Sequence, residues 1–172
     1  EHDPDASAIV IATSPDIADE INKAAQKQLP ILKRQQILAE SINNAVIVIV
    51  ESNDDLLESI NHTASEHLVL LSDNAKELLK DVRHAGSIFC GPYSPVTLGD
   101  YYAGPNHVLP TARSARFASP LGVMDFMKYS SYLEYNETSL LEAKNDIKLL
   151  TESEDFDAHF QAVEIRSNHD KK

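Results

Sequence analysis

Four short apolar runs constrain this chain more than anything else in it: residues 8–13 (AIVIAT), 45–50 (AVIVIV), 67–71 (HLVLL) and 87–90 (SIFC). Each is rich in β-branched residues and nearly continuous. A strand with one solvated face alternates apolar and polar residues, whereas a strand covered on both faces does not. The runs therefore predict strands of a parallel sheet with helices on both faces. Parallel strands need long crossovers, and helical stretches lie between the runs. Ser14-Pro15-Asp16 supplies a cap and a first-turn proline for a helix to about Gln28. Residues 31–44 carry Ile31, Ile37, Leu38 and Ile42 at helical spacing. Asn53 is expected to cap a short helix through Ile60. Asp73 or Asn74 opens another over residues 75–84, stopped by Gly86. Strands alternating with helices in this way give an α/β fold of βαβ units.

After Cys90 the alternation stops. Residues 91–120 form a connection rich in Gly, Pro and polar residues, with GDYYAGPNHVLPT (99–111) at its centre. Structureless loops beyond about 12–15 residues in a compact domain are functional or disordered, and the tyrosines and apolar residues here argue against disorder. Residues 124–127 read as a short helix and 129–135 as a strand. Residues 137–151 and 155–166 read as two amphipathic helices, and 167–172 as a frayed polar tail. The expected organisation is an α/β domain over 1–135, a helical region over 136–166 and the tail. That helical region is too small to own a core, so it must pack on the first domain or on another chain.

Composition narrows the partners. A chain of 172 residues can bury roughly 70% of its unfolded surface and needs no staples. Its formal net charge of -12 repels phosphates, so nucleic acid is not an expected partner. The single cysteine, Cys90, excludes an internal disulfide and a cysteine-rich zinc motif, and reads as a buried inert thiol. No apolar run is long enough to span a membrane. The chain opens Glu1-His2-Asp3-Pro4, without an initiator Met or the basic and apolar regions of a signal peptide. That start reads as a cut end, and a cytoplasmic location with no membrane partner is expected.

Chemistry-bearing residues cluster in a few places. Glu1-His2 precedes the first strand, and Glu66-His67 opens the third. Asp100, Asn106 and His107 lie in the long connection, and His159 follows Glu154 on the last helix. Imidazole and carboxylate are the usual zinc donors when thiolates are absent, and they are the natural pair for proton transfer near neutral pH. No HExxH, paired CxxC or GxGxxG is present, so any site is assembled from distant segments. Each residue also has a plain structural reading. Glu66-His67 can simply begin a strand, Glu154 and His159 can be a solvated helix face, and Asp100 can cap a loop. His62, His84 and His169 read as ordinary surface histidines.

The run GPYSPVTLGDYYAGPNHVLPT, from Gly91 to Thr111, resembles the signature region of histidinol dehydrogenases: a Gly-Asp-Tyr, a short spacer, then Asn-His-Val-Leu-Pro-Thr. Three further blocks follow the family's order. They are Glu1-His2-Asp3-Pro4, Ala64-Ser65-Glu66-His67-Leu68, and Glu154 with the run from His159 to Arg166. The resemblance implies a Rossmann-like parallel sheet, incomplete relative to the family. It implies two-step, NAD-dependent oxidation of L-histidinol to L-histidine through an aldehyde, in histidine biosynthesis. It makes His2, Asp100 and His159 ligands of one Zn²⁺, and Glu66 and His67 the acid–base pair. His107 and Glu154 join His2, His67, Asp100 and His159 in contacting the substrate. It further implies a homodimer whose C-terminal helices reach the partner, so that His159 completes the other subunit's site.

The likeness covers the C-terminal part of the family's chain, less than half of it. A fourth zinc ligand, a Gln three residues before His2, would precede Glu1. The nicotinamide-binding part and a substrate-binding Ser also lie upstream, which leaves no cofactor-binding residue here. The isolated chain is expected to be inactive. Two other readings remain: a non-catalytic α/β interaction module derived from such an enzyme, and a zinc hydrolase using Glu66 as base on a metal-bound water.

Overall fold

A computed structural model describes residues 1–167, so residues 168–172, with His169 and most of the expected tail, lie outside the described residues. The chain divides into two compact units, the first Glu1–Phe126 and the second beginning at Met127. Among the described residues no helix is long and apolar enough to cross a membrane.

The first unit carries the expected strands: β1 (Ile9–Ala12), β2 (Val46–Ile49), β3 (His67–Leu70) and β4 (Ser87–Cys90). All pairing is parallel, but it falls into two two-stranded ladders, β1 with β2 and β3 with β4. In the second ladder His67 stands opposite Ser87 and Val69 opposite Phe89. The two-sided cover that the sequence of β2 implies is not met among the described residues, because all four residues of the strand are exposed. A core does form around β3: Val50, Leu56, Ile60, Leu70, Ala75 and Leu78 are buried together, and half-buried Cys90 packs against them.

Helix α1 (Pro15–Gln28) begins as expected. Ser14 Oγ accepts the Ile17 amide at 3.3 Å and Pro15 takes the first turn. Elsewhere side chains redraw the boundaries. The helix expected over 31–44 is broken into α2 (Gln35–Ser41) between two 3₁₀ turns, Leu29–Ile31 and Ile42–Asn44. Gln35 causes the break: its side-chain amide donates to the carbonyls of Leu29 and Leu32, which ends the preceding turn. Helix α3 (Asn53–Thr63) is capped by Ser52 rather than Asn53, with Ser52 Oγ accepting the Asp55 amide at 3.1 Å. It continues past Ile60 and stops at buried Ala64, in the left-handed region (φ 48°).

The helix expected over 75–84 keeps only α4 (Ala75–Leu78). Buried Asn61, on α3, takes the backbone that would have continued it. Its Oδ1 accepts the amides of Arg83 (2.7 Å) and His84 (3.3 Å), and its Nδ2 donates to Asp81 O (3.0 Å). The long connection is not structureless. It contains α5 (Val96–Tyr101) and a 3₁₀ turn at Ser114–Arg116, and a further 3₁₀ turn, Val123–Phe126, follows it.

The second unit shows no strand over 129–135. Tyr129, Tyr132, Leu133 and Tyr135 are exposed there, and the described strand ladders lie elsewhere, in the first unit. Helices α6 (Glu137–Ser153) and α7 (Asp157–Ser167) follow, with Asn136 Oδ1 capping α6 through the Ser139 amide at 2.9 Å. They pack together through Lys144, which meets Glu164 at 3.8 Å and Ser167 Oγ at 3.0 Å. Neither helix has a fully buried residue.

Candidate active site

The first unit brings three of the predicted site residues together. Ala64 turns the chain out of α3, and two residues later Glu66 leads into His67, the first residue of β3. His67 Nδ1 lies 3.9 Å from Glu66 Oε1, and its Nε2 lies 3.7 Å from Asp100 Oδ1. Asp100 belongs to α5 and is not a loop cap. The Nε2 atom is shut off from solvent and makes no hydrogen bond. Buried polar atoms are nearly always hydrogen-bonded, so an exception asks for a reason. A separation of 3.7 Å is too long for a hydrogen bond, yet it keeps a carboxylate facing the ring.

Two glycines set this geometry. Gly86, just before β4, donates its amide to Ser65 O at 2.9 Å, and Ser87 N donates to Glu66 O at 2.8 Å. A Cβ on Gly86 would lie 2.6 Å from Glu66 O and 3.0 Å from Pro110 Cδ. Only glycine lets buried Pro110, near the end of the Gly99–Thr111 stretch, pack against the start of the ladder. At the other end of that stretch, Gly99 lies against the Phe89 ring, and Phe89 neighbours His67 with ring centroids 6.1 Å apart. The connection is thus pinned to β3 and β4 at both ends. Sequence reasoning missed Gly86, Phe89, Gly99 and Asn61. The sequence carried no signal for them, since residues 91–120 read as a connection and the helix that holds Gly99 is seen only in the structure.

The other predicted residues are described each within its own unit. His2 and His107 are exposed, and neither imidazole is hydrogen-bonded or ion-paired among the described residues; Asn106 Oδ1 bonds the Val108 amide at 2.8 Å. In the second unit Glu154 follows the last turn of α6, and His159 lies on α7 with its ring stacked on Phe156 at 5.1 Å. His2 and Asp100 offer donors that suit zinc. Among the described residues, however, no group of three or more His, Cys, Asp and Glu side chains stands close enough to hold a metal ion.

Comparison with known proteins places this geometry in context. The family model for histidinol dehydrogenase matches residues 1–167. A histidinol dehydrogenase of Bacillus thuringiensis subsp. konkukian is 50% identical over 167 residues, covering 96% of this chain and 39% of the relative. That of Oceanobacillus iheyensis is 42% identical over 171 residues, covering 99% and 40%. The crystal structure of histidinol dehydrogenase from Elizabethkingia anophelis superposes with a TM-score of 0.87 at 28% identity, over 96% of this chain and 38% of that one. The chain therefore spans about two fifths of the length of the relatives it matches. With the match running from the first residue through the end of α7, the chain belongs to the histidinol dehydrogenase family.

Proposed function

We propose that the protein carrying this chain oxidises L-histidinol to L-histidine in two NAD⁺-dependent steps, and that Glu66, His67 and Asp100 lie at the reacting end of the substrate. The observation that carries this reading is the buried, unbonded Nε2 of His67 facing Asp100, with Glu66 at the other nitrogen. In the first step His67 takes the alcohol proton as the carbinol C–H bond breaks and its hydride passes to NAD⁺, leaving the aldehyde. Glu66 then removes a proton from water as the water oxygen bonds to the aldehyde carbon, while protonated His67 returns its proton to the carbonyl oxygen and is free to act as base again; Glu66 releases its own proton to solvent. In the last step His67 takes a proton from this hydrate as the second hydride leaves to a second NAD⁺, and the acid ionises to the carboxylate. General acid–base groups so placed contribute about 10²- to 10⁴-fold. Two carboxylates facing the two ring nitrogens answer the positive charge that arrives with each proton.

Zinc, when bound, would fix the substrate's imidazole and amine as a template. His2 and Asp100 of one subunit and His159 of a second copy are the proposed ligands in a homodimer, with His107 and Glu154 contacting histidinol. The nicotinamide-binding part belongs to the stretch of the relatives that this chain does not match. Taken alone, the 172-residue chain is therefore proposed to be inactive. The test is an NADH-forming assay of the full-length protein with L-histidinol. Two NADH per histidinol supports the reading, and no turnover with zinc present refutes it. Turnover by the 172-residue chain alone would overturn the second proposal.

A further inference from the structure

Gly99 lies inside α5, one residue before Asp100. Glycine is a poor helix former, and its backbone here is not in the left-handed region that favours glycine. Contact explains its presence. A Cβ on Gly99 would stand 2.7 Å from Phe89 Cε1 and 2.8 Å from Phe89 Cζ, well inside the roughly 3.5–4.0 Å at which carbon atoms rest. Phe89 is buried in β4 and its ring neighbours the imidazole of His67. A methyl group on Gly99 has two outlets. Either α5 backs away and takes Asp100 with it, or the Phe89 ring shifts and displaces His67. Either route acts on one side of the same 3.7 Å separation.

We infer that Gly99 is a positioning residue: the absence of its side chain lets α5 seat on Phe89 and so sets the distance from Asp100 to His67. The kinetic test of this rests on the proposed dehydrogenase activity, whereas the structural test does not. In the full-length protein, Gly99→Ala is expected to lower kcat on the order of 10- to 100-fold, the scale of an ångström's misplacement. Leucine lacks Cε1 and Cζ, so on a Phe89→Leu background the same change is expected to cost about threefold or less, a double-mutant coupling. Gly122→Ala is the control, since its Cβ would meet nothing closer than 3.9 Å. A crystal structure of the Gly99→Ala variant should show the Asp100–His67 separation widened. An unchanged kcat, equal losses on both backgrounds, or an unwidened separation overturns the inference. If Gly99→Ala does not fold, the double variant must fold and turn over, and its failure also overturns it. If the unsubstituted protein fails to oxidise histidinol, the functional reading falls while the crystallographic distance still decides the role of Gly99.

Discussion

His67 Nε2 is buried 3.7 Å from Asp100 Oδ1 and bonded to nothing. A histidine with a purely structural role in a strand would have its ring nitrogens hydrogen-bonded, because an unpaired buried polar group costs about 1–3 kcal/mol. The geometry fits a nitrogen held ready for a proton that comes from elsewhere.

Replacing His67 with Gln keeps a side chain of polar character but cannot carry the proton. In the full-length protein His67→Gln is expected to lower kcat for histidinol by about 10²- to 10⁴-fold. Thermal unfolding should change little, since no hydrogen bond is lost at Nε2. A kcat within about threefold of the parent would remove His67 from the acid–base role.

Glu66 faces the His67 ring in both oxidations but is asked to act on water only in the second. Glu66→Gln should therefore slow oxidation of the aldehyde more than that of the alcohol, with aldehyde accumulating. Single-turnover rates with L-histidinol and with L-histidinal separate the two steps. The aldehyde step is expected to fall by roughly 10²- to 10⁴-fold, and an equal loss in both steps would assign Glu66 to binding or positioning instead.

The four strands, the Ser14 cap and the Glu66-His67 corner were legible because each is written locally, in a β-branched run, a capping side chain or a dipeptide at a strand start. The failures lie where a side chain from one segment bonds the backbone of another. Nothing within 75–84 announces that Asn61 will claim the amides of Arg83 and His84, and nothing in the helical spacing of 31–44 weighs the Gln35 amide against the helix. The exposed faces of β2 are a failure of a different kind. Its sequence encodes burial, while the chain spans only about two fifths of its relatives' length, so its cover is not to be sought in these residues alone. At the candidate site, residue types were legible and the shapes that support them were not. Asp100 and His67 were readable as residue types, whereas Phe89 and Gly86 act through shape.

Gly86 supplies a stability prediction. The atom its Cβ would meet at 2.6 Å is the Glu66 carbonyl oxygen, part of the backbone, so it cannot swing aside. Gly86→Ala must therefore part the start of β3 from β4 or displace Pro110. A loss of about 1–3 kcal/mol is expected, as for other overpacked sites, read as a lower midpoint in urea unfolding. An unchanged midpoint would show that the ladder start yields freely.

Tyr132 supplies a pH prediction in the second unit. Its phenol donates to Glu134 Oε2 at 2.6 Å. Ionising the phenol would lose that bond and place two negative charges together, so the bond holds the Tyr132 pKa above its ordinary value, with a little desolvation in the same direction. Glu134→Gln removes the acceptor charge and should bring the pKa down. Site-resolved ¹³C NMR of the Tyr132 ring against pH measures this, and an unmoved midpoint would dismiss the bond as its cause.

Asn61 offers the sharpest test of how side chains override helix propensity. It is buried, and its amide closes the turn between α4 and β4 with three bonds to Asp81, Arg83 and His84. Leucine matches its size but satisfies none of these groups. Asn61→Leu leaves two amides and a carbonyl without their partner, at a cost of about 1–3 kcal/mol, although it adds apolar surface beside buried Ile60. The desolvation term wins because backbone groups cannot leave the site without moving the chain that leads to Gly86 and the Glu66 pairing. Amide hydrogen exchange should therefore quicken at Arg83 and His84 first, then at Ser87, whose amide bonds Glu66 O. If exchange at Arg83 and His84 stays slow while the protein is destabilised, Asn61 acts through packing, and the shortening of α4 needs another cause.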